Sequence, residues 1–229
     1  FYGGTGMSGP GHITRRGSAQ LQFTSGNPLF TGGMTWASPA QLQMWSGLVL
    51  GSNLFEVAVT NERCQPNFQH AGEAVYTFVP DILLNSPAEV WPTFNEPGYQ
   101  YNLSSPYIEY SGDIYTDVNQ SGLGYVSFRA ARGTNTMIGT NVFTGNLRGV
   151  VAIPMRLYDG WFIMNSPDAT VNSEFSLNSN NQRPTHLLFR VPITCDAQLT
   201  INSAPAAFPT TVGCTHGTGT STYTVGVTS

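Results

Sequence analysis

Val151-Ala152-Ile153-Pro154-Met155-Arg156-Leu157 places Val151, Ile153, Met155 and Leu157 on one side of an extended chain and Ala152 and Arg156 on the other. Side chains of a strand point to opposite faces in turn, so such a run reads as a half-buried strand. The same beat continues outward from it. Leu187, Phe189, Val191 and Ile193 alternate with Leu188, Arg190 and Pro192. Residues 20–24, 55–60, 125–130 and 223–227 repeat the alternation, and less regular strand candidates occupy 48–51, 74–79, 107–111, 114–118, 161–164 and 197–202. Between them stand the turn clusters Gly32-Gly33, Asn95-Glu96-Pro97-Gly98, Ser121-Gly122, Thr144-Gly145-Asn146 and Asp159-Gly160. Many short strands separated in this way predict an all-β protein, a β-sandwich of jelly-roll type.

Two short connecting helices are expected inside this sandwich. Ser38-Pro39-Ala40-Gln41-Leu42-Gln43-Met44-Trp45 has serine at the N-cap, proline at the first helical position and Gly47 just past the end. Ser86-Pro87-Ala88-Glu89-Val90-Trp91 opens in the same way and is stopped by Pro92. No shift in composition divides residues 1–229, so one domain is expected, with a Gly-rich arm over about 1–12 and a Gly/Thr/Ser-rich tail over about 215–229.

Composition narrows the function classes. Only 10% of the 229 residues are charged, against about 25% in ordinary soluble domains. All nine basic residues are arginines, which excludes P-loop and Schiff-base lysine chemistry. The net charge of −4 and the scatter of the arginines argue against direct nucleic-acid binding. No apolar run is long enough for a membrane span. The first residues lack the charged and apolar regions of a signal peptide.

Several groups of residues invite a chemical reading. Glu109, Asp113 and Asp117 share a parity and are weak metal candidates through oxygen ligands, or an acid and base for sugar hydrolysis. Four residues of strand span about 13 Å, however, too far for one ion, so a solvated outer face is the expectation unless Ser111-Gly112 folds the chain back. None of His12, His70, His186 and His216 has ligand spacing, and no nucleophile motif is present, so neither catalytic residues nor a cofactor are expected. Cys195 and Cys214 enclose a segment that fits a hairpin and form the disulfide candidate. Cys64 would then be unpaired, and a reducing compartment would keep all three as thiols.

Tyrosines and a tryptophan in polar surroundings suggest a ligand-binding patch: Tyr107, Tyr110, Tyr158, Asp159 and Trp161. One end of such a ring is apolar and the other can hydrogen-bond, which suits sugar or protein recognition. The expected function is a non-enzymatic structural subunit of a viral shell or extracellular filament, packed against copies of itself or homologous subunits. The alternative is a lectin-like adhesin or receptor-binding spike that recognises a cell-surface glycan or protein. Both place the chain in a virion or at a cell surface.

Overall fold

The computed structural model describes residues 6–23, 25–38, 41–44, 50–51, 53–58, 65–68, 76–85, 93–95, 107–116, 126–129, 139–145, 147–148, 155–158, 160–165, 170–171, 175–178, 185–190, 194–195, 199–201, 210–214 and 225–226. Alternation delivers strands, and among the described residues there are strands and turns but no helix, so none is long and apolar enough to cross a membrane.

The strands form three long faces. The first stacks β1 (Ile13–Arg15), β3 (Met34–Trp36), β5 (Phe55–Val57), β8 (Ile82–Leu84), β11 (Ile114–Thr116) and β14 (Leu147–Arg148). The second stacks β2 (Leu21–Phe23), β4 (Gln41–Met44), β6 (Gln65–Phe68), β9 (Thr93–Asn95), β12 (Val126–Arg129), β15 (Met155–Tyr158), β18 (Phe175–Asn178), β21 (Leu199–Ile201) and β23 (Val225–Gly226). The third stacks β7 (Tyr76–Phe78), β10 (Tyr107–Tyr110), β13 (Thr140–Phe143), β16 (Gly160–Met164), β19 (Thr185–Phe189) and β22 (Thr210–Cys214). A short pair, β17 (Thr170–Val171) with β20 (Thr194–Cys195), lies with β17 beside β14.

Consecutive strands such as β6, β7 and β8 belong to the second, third and first faces, and β9, β10 and β11 repeat that order. Each strand therefore hydrogen-bonds to the strand one winding away, as in a three-sided solenoid. The windings are unequal in length. Met155 pairs with Phe175 across a short one, and Thr93 with Ser127 across a long one. Both leave room for the long connection that parallel neighbours need.

One side of every face fills the interior. Met34, Trp36, Phe55, Val57, Ile82 and Leu84 enter from the first face, and Leu42, Met44, Phe128, Leu157 and Leu177 from the second. Phe78, Ile108, Tyr110, Phe143, Phe162, Met164, Leu187 and Phe189 enter from the third. The rings interlock across faces. Tyr110 stacks on Phe143 at 5.2 Å, and Phe128 meets both edge-on, at 5.3 Å and 5.0 Å. Edge-to-face and offset pairs of this kind add about 0.5–1.5 kcal/mol each beyond burial. At the β1 end, Arg15 occupies an inward position, with its guanidinium 6.0 Å from the Trp36 ring centroid and bonded to the Ala19 carbonyl.

The jelly-roll sandwich expected from the sequence is not formed. A jelly roll is antiparallel, whereas every strand pairing among the described residues is parallel. Period two reports a half-buried strand but carries no strand direction, and at Ser111-Gly112 and Thr144-Gly145 the chain passes from the third face to the first. Gly112 and Gly145 show why glycine is needed. A Cβ on Gly112 would collide with the Pro80 carbonyl, and one on Gly145 with the Gly112 carbonyl, because successive corners stack backbone on backbone. The helix expected over 38–45 is also corrected. Gln41–Met44 is strand β4, and Leu42 and Met44, on the same side of that strand, are both buried. The helix expected over 86–91 lies outside the described residues. Of the strand expected over 48–51, residues 50–51 form a turn.

Two substitutions test this packing. Gly145→Ala should destabilise the protein by about 1–3 kcal/mol, because backbone must move to admit the methyl group. Asn141 sits inward between Ile108 and Phe162, 1% exposed, and neither its amide nitrogen nor its amide oxygen has a hydrogen-bond partner. A buried unpaired polar group costs about 1–3 kcal/mol. Asn141→Leu should therefore raise the thermal midpoint followed by circular dichroism. A lower midpoint for this variant would contradict the placement.

Candidate functional site

Chemistry available to partners lies on the outward side of each face. On the third face the outward row runs Tyr107, Thr140, Trp161 and His186. Trp161 is 39% exposed and stacks on His186 with ring centroids 4.2 Å apart and planes 22° apart. That distance is close to the spacing of adjacent strands, about 4.8 Å, so the rings stand off the sheet like rungs. Burial lowers the His186 pKa below its ordinary 6.5, because the imidazolium loses water around it. The Tyr107 hydroxyl is pushed up, first by burial, then by the Glu109 charge, with Arg190 acting in the opposite sense.

The next outward row carries Glu109, Val142, Ile163 and Leu188. Val142 and Ile163 are buried although they point away from the main core. Their burial means that the outward side of the face is covered at this row. Glu109 accepts a hydrogen bond of 3.0 Å from the Thr144 hydroxyl, which ties one rung to the next.

A second polar line crosses the first face. The Thr35 hydroxyl donates to Glu56 Oε2 at 2.7 Å, and Asn85 Nδ2 donates to Glu56 Oε1 at 2.7 Å. His12 Nε2 lies 2.8 Å from the Thr35 oxygen. Thr35 has one proton and gives it to the carboxylate, so His12 must donate through Nε2–H. This line runs from winding to winding and serves to hold them in register.

The residues singled out in the sequence are distributed as follows. Tyr107 and Trp161 share the outward row of the third face. Tyr110 belongs to the interior, 2% exposed, and offers no surface to a ligand. Tyr158 is half-buried on the second face, in register with Arg129 and Asn178, whereas Trp161 lies on the third. Asp159 and Asp117 lie outside the described residues. Glu109 and Asp113 do not continue one strand, because the chain turns a corner at 111–113 between β10 and β11. At that corner the Asp113 amide donates to Asp81 Oδ1 at 2.8 Å. Among the described residues no three of His, Cys, Asp and Glu stand together. Cys195 lies in β20 and pairs with Val171, while Cys214 lies in β22 and pairs with Phe189, so the two are not strands of one hairpin.

Nothing in the spacing of His186 marks it as a ligand. Its signal was the same alternation that makes β19 a strand, since His186 has outward parity between Thr185 and Leu187. That it meets Trp161 depends on the pairing of β19 with β16, which lies a full winding back along the chain.

Comparison of the chain with protein-family models, curated proteins and solved structures finds no match.

The His186 shift fixes a pH dependence. The folded state binds this proton less readily than the unfolded chain, so the contribution of His186 is fully present above about pH 6.5 and is lost as the pH falls through its lower folded value. Melting wild type and His186→Phe between pH 7.5 and 5 should show a steeper acid loss for wild type. Parallel curves would contradict the assignment.

Proposed function

We propose that the chain is a non-enzymatic structural subunit of an extracellular filament or shell assembly, packing against copies of itself or sister subunits. The observation that carries this reading is the axial ladder. Parallel strands stack along one direction, and among the described residues β1 and β2 at one end, and β22 and β23 at the other, have a strand neighbour on one side only. The Ile13 amide bonds to the Gly33 carbonyl and the Arg15 carbonyl receives the Ala37 amide, both toward β3. By strand alternation, the Thr14 amide and carbonyl point away from β3. A strand edge of this kind is a template for another chain. The low charge content supports the reading, since self-association is weakly opposed.

A second reading, recognition of a cell-surface glycan or receptor, is favoured by one observation: Trp161, exposed and held by His186, on a face with tyrosine and hydroxyl neighbours.

Sedimentation and negative-stain imaging test the first reading. Native material should form elongated oligomers, and Thr14→Pro should shift them toward monomer by removing an edge donor while leaving the β3 pairing intact. A monomer that persists at high concentration would overturn it.

A further inference from the structure

We propose that Tyr107 and Trp161, two windings apart with Thr140 between them, form a slot that takes the saturated ring of a neutral pyranoside. This rests on the recognition reading above. The register places Thr140 opposite both residues, Tyr107 on one neighbouring strand and Trp161 on the other. Two strand spacings separate the flanking residues by about 9.5 Å. Rings on this sheet keep the strand spacing, outside in the Trp161–His186 pair and inside in the Tyr110–Phe143 pair. The side of Trp161 opposite His186 therefore looks over Thr140 toward Tyr107.

Thr140 is small and half-exposed, so it floors the gap without filling it. The width selects the guest. A flat aromatic ring held by two faces at contact distances of about 3.5–4.0 Å fits a gap of about 7–8 Å. A puckered saturated ring is thicker and presents C–H groups to both faces. The Thr140 and Tyr107 hydroxyls can exchange hydrogen bonds with ring hydroxyls. Glu109 and Arg190 both act on the Tyr107 hydroxyl, so charges of both signs border the slot. The rigid backing of Trp161 by His186 reduces the ordering cost of binding.

Saturation-transfer NMR on the full chain tests this, with methyl glucoside, galactoside and mannoside as neutral probes and sialyllactose as the acidic one. The expected result is transfer to the ring C–H protons of at least one neutral probe, weakened about tenfold or more in both Thr140→Trp, which fills the slot, and Trp161→Ala, which removes a wall. Circular dichroism confirms that each variant is folded. Should Thr140→Trp not fold, Tyr107→Ala replaces it and must show the same loss. Sugar binding that survives these variants overturns the slot and leaves the recognition reading standing. Binding of sialyllactose alone overturns the neutral-ring assignment. A wild-type chain that binds no probe, and no glycan on an array, overturns the slot and glycan recognition together.

Discussion

The parallel hydrogen-bond ladder between successive windings is the constraint on which everything else rests. A strand this short cannot satisfy its amides and carbonyls alone. Here each finds its partners a full winding away, as Met155 does with Phe175 and Ser127 with Thr93. Once that register is set, each side chain's neighbours along the axis are set too. Phe78, Tyr110 and Phe143 line up inside the third face because their strands pair as they do. The same register puts Trp161 against His186 outside it. A slip of one residue would turn Phe162 outward and Trp161 inward, so interior and surface chemistry stand or fall together.

Much of this was legible as strands and little as topology. The alternations at 55–60, 125–130 and 187–193 contain β5, β12 and part of β19. Strand direction was not legible, because an alternating strand looks the same whether its neighbour is parallel or antiparallel. Sequence reasoning favours the hairpin, since the nearest strand in the chain is usually the nearest in space. The unequal lengths of the windings also keep paired strands from recurring at a fixed spacing. Gln41-Leu42-Gln43-Met44 shows the competing signal: a serine–proline opening reads as a helix start, but alternation across this stretch prevails once Leu42 and Met44 can both enter the core.

The candidate site was half legible. Tyr107 and Trp161 were singled out because they are aromatic in polar surroundings, and the fold brings them to one row. Tyr110 was singled out on the same grounds and is core, because its parity in β10 is opposite to that of Tyr107. His186 and Thr140 were out of reach, since they join the row only through pairings with Trp161 and Tyr107, each a whole winding distant in the chain. The acidic residues show the same limit. Glu109 and Asp113 share a parity along the chain, but the corner at Ser111 and Gly112, a turn the sequence allows, hands the chain to another face rather than back on itself.

The stacking of windings has a consequence for how the molecule comes apart. Most inter-strand contacts reach only one winding up or down, so stability is distributed as in a nearest-neighbour chain rather than held in one central knot. Such a structure unzips from its extremities, and amide protons in the middle, near Tyr110 and Phe143, should outlast those of β1 and β2 in deuterium exchange. A copy docked on an end would suppress that fraying, so self-association and resistance to unravelling become the same property.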